Sequence, residues 1–402
     1  MAKRLIVCCD GTWDLADRSG RTNVTKIALS VRPWAAGIEQ RVHYHPGVGT
    51  RRLERLRGGA FGKGLSRTVL DAYGRLVDAY EPGDELYLFG FSRGAFTVRS
   101  LAGLVGNSGI VRREHADRTG QAWALYRDRI EQPTGTASTL FRRAYAHDAA
   151  IHFLGVWDTV GALGIPVPGP RWLAPAVTRV NRRWAFHDTE LGGRVKGAFQ
   201  ALAIDEQRSA FRPTLWRQRT GAAAAGQELK QVWFAGVHRD VGGGYPDTAL
   251  ADITLLWMVA QARRYGLEFD ADVLGAEGPP VMTPERSTEF RVRPDSRGEL
   301  HDSRTGLYRL SRPWHRPIGH GTGGGERDGR EPDGGEPFDT RELLARTAWE
   351  HYDGDASYRP PELERRLARG HVDVEPVPLA RPDTPPAGPS VPRVGTGRPR
   401  VR

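Results

Sequence analysis

Cysteine is nearly absent: two residues in 402, and they are neighbours, Cys8 and Cys9. Adjacent residues on an extended strand point to opposite faces, which argues against a disulfide between them. Nor is there a C-x-x-C pattern for a metal. Long apolar runs are also lacking. No segment approaches the roughly 18 unbroken apolar residues of a membrane helix, so no transmembrane segment is expected. The apolar run Leu5–Cys9 is too short for the core of a signal peptide. Together these absences make a reduced cytoplasm the expected compartment, with export by a route that needs no signal peptide left open. Hydrophobic residues make up only 39% of the chain, while glycine (49) and proline (28) are plentiful, which predicts a globular body with loop-rich additions.

The charge balance is basic, at +10. Part of the excess is local: beyond Pro376 stand Arg381, Arg393, Arg398, Arg400 and Arg402 against one acid, Asp383. A basic balance permits peripheral contact with an anionic membrane. No pattern points to a specific nucleic-acid site.

What is present is a series of short apolar runs that read as buried strands: Arg4–Cys9, Arg41–His45, Glu85–Phe89, Ile151–Val156, Val195–Ile204 and Gln231–Val237. Between them, Gly64–Tyr80 and Ala249–Tyr265 carry apolar residues at helical spacing. Alternating strands and helices predict an α/β fold: a mainly parallel sheet with helices on both faces. Residues 1–312 are read as the catalytic body, with 112–149 and 165–190 as insertions that either cap the strand ends or pack peripherally. Residues 313–340 are read as a flexible Gly-rich loop. Residues 341–375 are read as a C-terminal helical segment that packs on the body and begins with a helix over Arg341–Trp349. Residues 376–402 are read as a disordered basic tail.

Polar residues with catalytic capacity recur at the carboxyl ends of these runs, where function collects in parallel sheets. Gly90-Phe-Ser-Arg-Gly94 follows a strand and opens a helix, the context of a nucleophile elbow, so Ser92 is the candidate nucleophile. A serine needs a base, and the base needs an orienting acid. The chain order serine, acid, histidine is met by Ser92, Asp158 and His238, each following a predicted strand. Asp205 is the rival acid if Val195–Ile204 is the strand before His238. His301 and His351 are weaker alternatives for the base. Oxyanion donors are expected from the N–H of Arg93 and from the loop Asp10-Gly11-Thr12, and Asp240 is expected to line the site. This mechanism needs no cofactor and no metal. Two competing readings are a metal-dependent phosphoesterase built on Asp10, Asp158 and Asp240, and a non-enzymatic binding module that uses the basic tail.

Six motifs stand in order: Cys9-Asp-Gly-Thr-Trp13, Thr22-Asn-Val-Thr-Lys-Ile27, Gly47-Val-Gly-Thr50, Gly90-Phe-Ser-Arg-Gly-Ala-Phe96, Gly155-Val-Trp-Asp-Thr-Val-Gly161 and Val237-His-Arg-Asp-Val-Gly-Gly-Gly-Tyr245. Taken jointly, they resemble the uncharacterised α/β-hydrolase family that includes the catalytic domain of type VI secretion phospholipase effectors. The resemblance runs from about Lys3 to Leu267. It implies an α/β-hydrolase fold and a serine ester hydrolase whose substrates are small-molecule or lipid acyl esters. It carries the triad onto Ser92, Asp158 and His238, and places the Asp10 loop at the site.

Overall fold

The computed structural model describes residues 2–11, 20–47, 60–128, 130–161, 189–219, 221–270, 274, 290–310, 312–319 and 338–379. Among them are thirteen strands: β1 (Arg4–Cys9), β2 (Trp34–Ala35), β3 (Ile38–His45), β4 (Glu85–Phe91), β5 (Ile110–Val111), β6 (Ala146–His147), β7 (Ile151–Trp157), β8 (Val195–Ala203), β9 (Gln218–Arg219), β10 (Glu228–Phe234), β11 (Phe338–Asp339), β12 (Glu342–Ala345) and β13 (Val374–Glu375). Nine form one sheet in the order β13-β12-β10-β8-β7-β4-β1-β3-β2. Every neighbouring pair in it is parallel except the edge hairpin β2–β3. The other four strands form two short antiparallel ladders, β5–β6 and β9–β11.

The helices are α1 (Asn23–Ser30), α2 (Ala60–Ala79), α3 (Arg93–Ser108), α4 (Thr119–Arg127), α5 (Thr136–Tyr145), α6 (His238–Gly242), α7 (Ala249–Arg264), α8 (Arg346–Gly354) and α9 (Pro361–Ala368). They cover both faces of the sheet, as the unbroken apolar strands require. All six residues of β1 are buried, and β4 is buried from Leu86 onward. The pleat of β1 sorts its side chains into two cores. Ile6 and Cys8 join the core beneath α1 and α7, while Leu5, Val7 and Cys9 join the one beneath α2 and α3. The two adjacent cysteines thus lie on opposite faces of the sheet and remain free thiols.

Strand order places the site. From β1 the chain adds β3 on one side, then crosses to β4 on the other and continues outward through β7, β8 and β10. The reversal at β1 makes the carboxyl ends of β1 and β4 the topological switch point, where open parallel sheets place their sites. No helix among the described residues is long and apolar enough to cross a membrane.

Two segments differ from the sequence expectation, and a third takes one of the two readings left open for it. The stretch 112–149 folds into α4 and α5 but packs on the far half of α3: Ser138 Oγ lies 3.2 Å from Asn107 Oδ1, and Ser108 Oγ donates to Ala122 O at 3.0 Å. That end of α3 is remote from its start at Ser92, so these helices flank the helix layer. The helix expected over Arg341–Trp349 begins only at Arg346. Glu342–Ala345 is instead β12, which pairs with β10. A run as short as Leu343-Leu-Ala345 carries no period that separates strand from helix. The expected loop 313–340 enters the interior with its described residues: Ile318 is buried and Trp314 N donates to Gln207 O at 2.9 Å. The insertion expected over 165–190, apart from Thr189 and Glu190, and nearly all of the tail beyond Pro376 lie outside the described residues.

Candidate active site

β4 ends at Phe91 and α3 starts at Arg93, so the whole reversal falls on Ser92. Its backbone takes φ 56° and ψ −116°, a region that a non-glycine residue enters only when its surroundings force it. The Ser92 N–H continues the sheet ladder to Trp157 O at 3.0 Å, while Ser92 O accepts from Phe96 N at 3.2 Å as the first helical bond. The serine caps α3 without a side-chain hydrogen bond, so capping does not consume Oγ. The turn is possible because α3 sits directly against β1. A Cβ on Gly94 would fall 2.0 Å from Cys9 O and 2.6 Å from Asp10 O.

Asp158 follows β7 and is fully buried, and its backbone too has a positive φ, 42°. Its Oδ2 lies 2.5 Å from Nδ1 of His238, the first residue of α6. The guanidinium of Arg316 grips the same carboxylate with two bonds, Nη1 to Oδ1 at 2.6 Å and Nη2 to Oδ2 at 2.9 Å. Burial alone would raise the pKa of Asp158. The Arg316 charge and the His238 bond outweigh it and hold the carboxyl well below the usual carboxylate range. For His238 burial pushes the other way and dominates, so its pKa lies below the ordinary imidazole value despite Asp158. Phe91 packs on the imidazole at 4.6 Å between ring centroids, and Phe211 meets it edge-on at 4.9 Å. Phe91 is the residue before Ser92, so serine and imidazole share one rim. Gly242 lets this ring in, since a Cβ there would stand 2.0 Å from Phe91 Cε2.

The rival acid has other work. Asp205 accepts the Gly236 N–H at 2.6 Å and the Tyr358 hydroxyl at 2.9 Å, and burial pushes its pKa up to about 6. The next residue, Glu206, is the one near the imidazole. It accepts the His238 backbone N–H at 3.3 Å, the Ser303 hydroxyl at 3.0 Å and two side-chain bonds from Arg208 at 2.8 Å. Sequence reading stopped one residue short of Glu206. It had no signal for Arg316, which lies in a Gly- and Pro-rich stretch far along the chain.

The first loop departs from expectation. Asp10 Oδ1 accepts the Gly11 N–H at 2.7 Å, and Oδ2 accepts Thr22 Oγ1, Tyr44 OH and Thr25 Oγ1 at 2.6, 2.7 and 2.8 Å. The Gly11 N–H is therefore held within its own loop rather than offered to an oxyanion, and Asp10 is a buried tether. Thr12 lies outside the described residues. Asp240 pairs with His301 Nδ1 at 2.7 Å and accepts Val237 N at 3.0 Å. Asp10, Asp158 and Asp240 thus serve three separate partner sets, and no group of three such side chains among the described residues is arranged to hold a metal. His351 packs on Tyr358, with ring centroids 4.5 Å apart.

The Thr22-Asn-Val-Thr-Lys26 segment explains how α6 is held. Asn23 is fully buried, and its Nδ2 reaches Val241 O at 3.1 Å and Ala251 O and Thr254 Oγ1 at 2.9 Å. Lys26 Nζ meets Asp252 Oδ1 at 2.5 Å in the interior. One short segment therefore ties β1, the helix that carries His238, and α7 together.

Comparison with known proteins adds a family. Residues 3–261 match the model described as the catalytic domain of Tle1-like phospholipase effectors of the type VI secretion system. An uncharacterized protein of Saccharomyces cerevisiae, YEL023C, is 29% identical over 234 residues, which cover 52% of this chain and 32% of that protein. Among solved structures, an uncharacterized protein from Pseudomonas aeruginosa gives a TM-score of 0.41 at 19% identity, covering 71% of this chain and 48% of the other. The Tle1 effector bound to the VgrG spike of the type 6 secretion system gives 0.36 at 19% identity, covering 61% and 51%. The chain thus spans about a third of the yeast protein's length and about half of each structural match.

Proposed function

The chain belongs to the family of Tle1-like phospholipase effector catalytic domains, and we propose that it is a serine ester hydrolase that cleaves lipid acyl esters through a covalent acyl-enzyme. The observation that carries this reading is the buried Asp158–His238 pair at 2.5 Å, set on the rim where the strained turn at Ser92 ends β4.

In this mechanism His238 Nε2 takes the proton of Ser92 Oγ as the oxygen attacks the ester carbonyl. Asp158 accepts the Nδ1–H, which fixes the reactive tautomer and stabilises the imidazolium that forms. The Arg93 N–H, at the open start of α3, faces the developing oxyanion together with the positive end of the helix dipole. His238 returns the proton to the leaving alcohol, and a water activated in the same way releases the fatty acid. The imidazole's low pKa keeps it neutral, and so competent as a base, at neutral pH. A lipid substrate is consistent with the family's name and with peripheral contact between a basic protein and an anionic membrane.

A fluorophosphonate probe tests the reading. The wild-type chain should take the label, while Ser92→Ala and His238→Ala should not. An unlabelled wild type that also leaves short-chain esters and phospholipid vesicles uncleaved would sink it.

A further inference from the structure

Arg316 lies outside the span matched by the family, yet it makes more contact with Asp158 than His238 does. Its side chain is fully buried. The fork is itself fixed: Nη1 also donates to Ala203 O at 2.9 Å and Nη2 to Phe211 O at 2.6 Å, the end of β8 and the loop after it. The backbone around it is tethered on both sides, by Trp314 N to Gln207 O at 2.9 Å and by Gly319 N to Glu342 Oε2 at 2.8 Å. An arginine in a Gly- and Pro-rich segment is thus held by four side-chain bonds, with its backbone tethered on either side.

Two consequences follow from elementary electrostatics. A carboxylate in the interior without a counter-charge draws a positive charge to itself, and here the nearest source is a proton taken up by the imidazole bonded to it. The bidentate fork removes that problem and also fixes the plane of the carboxyl group, which a point charge does not. The same positive charge opposes protonation of the neighbouring imidazole.

We infer that Arg316 is a positioning residue of the triad: its fork aims Asp158 at His238 Nδ1 and balances the acid's charge so that His238 rests as a neutral base. This rests on the ester-hydrolase reading for its catalytic meaning. The other charged groups around His238 are Glu206 and Arg208 after β8, which pair with each other. Within its own helix, Asp240 turns to His301, and Arg239 lies over Tyr245 and donates to Gly244 O.

The experiment compares wild type, Arg316→Met and Arg316→Lys in two measurements. The first is an NMR titration of ring-15N histidine, with the His238 signal assigned from His238→Gln. It reads the imidazole without any turnover. Loss of the guanidinium in Arg316→Met should move the His238 midpoint up by about one pH unit or more. Arg316→Lys keeps the charge and should stay near the wild-type midpoint. The second measurement is the rate of fluorophosphonate labelling against pH. The acid limb of Arg316→Met should move up with the imidazole, and Arg316→Lys should label about tenfold more slowly with an unmoved limb, because the fork is lost. A His238 midpoint that stays or falls in Arg316→Met overturns the inference, as does a lysine variant that labels as fast as wild type. If Arg316→Met does not fold, the lysine variant alone decides. A wild type that takes no label, with an imidazole that still responds to Arg316, removes the ester-hydrolase reading and leaves the positioning role standing.

Discussion

Gly94 and Cys9 touch backbone to backbone: a single added carbon on Gly94 would lie 2.0 Å from the Cys9 carbonyl oxygen. This contact lets α3 begin directly against β1, and it fixes where Ser92 points. Gly94→Ala should therefore separate helix from sheet and cost at least about 3 kcal/mol, more than ordinary overpacking of side chains. Gly106, later in α3, has nothing within 4 Å of its would-be Cβ. Gly106→Ala should be neutral or stabilise by up to about 1 kcal/mol. Chemical denaturation of the two variants measures the contrast, and equal midpoints would contradict it.

Asp158→Asn tests chemistry and stability together. The amide loses the charge that orients and stabilises the imidazolium, so labelling should slow by about 10³–10⁴-fold. It also leaves Arg316 buried without its counter-charge, which should cost roughly 3–5 kcal/mol. Both losses are expected in one variant, and an unchanged melting temperature would argue against the buried pair.

Activity should rise with pH along a limb that lies below the ordinary imidazole range, because burial lowers the His238 pKa. The base works only when neutral, so the rate falls as pH drops through this value. A limb at or above about 6.5, the unperturbed histidine value, would conflict with the site's burial.

Asp205 gives a stability prediction of opposite sign to that of Asp158. Its folded pKa, about 6, lies above its unfolded value, so the folded state binds the proton more tightly. Its contribution is fully present below the unfolded pKa and is lost as pH rises towards and through 6. The lowered pKa of Asp158 works the other way, and its contribution fades as pH falls. Asp205→Asn should therefore gain on wild type by roughly 1–3 kcal/mol between pH 4 and pH 8, which melts across that range would measure.

Lys26→Met should cost about 3–5 kcal/mol, since it strands Asp252 in the interior. Lys26→Met with Asp252→Asn should recover part of that loss, because the amide still accepts from Arg293 N, the backbone bond that Asp252 Oδ2 holds at 2.8 Å. A double variant no better than the single would show that the charge itself is not what matters.

Most of the sheet was legible because its strands are buried on both faces. Leu5–Cys9, Leu86–Phe89 and Phe153–Val156 are apolar without alternation, the pattern of strands covered on both faces in a parallel sheet. β12 escaped because four residues, Glu342–Ala345, carry no period. Chain order made Asp158 legible as a candidate partner of His238 beside its rival Asp205, but the role of Asp10 was not legible. A carboxylate after a first strand looks the same in sequence whether it lines a site or, as here, accepts four donors.

What the linear order determined by itself is local: which runs are strands, which turn opens a helix, and which polar residue stands at each strand's end. Covalent neighbours, periodicity and glycine placement suffice for that. Which carboxylate the imidazole chose, Asp158 over Asp205, and which cation answered it, from 158 residues away, was decided only on folding. Such choices depend on distances of a few ångströms between groups that the chain separates widely, and on the cost of leaving any of them charged and alone in the interior.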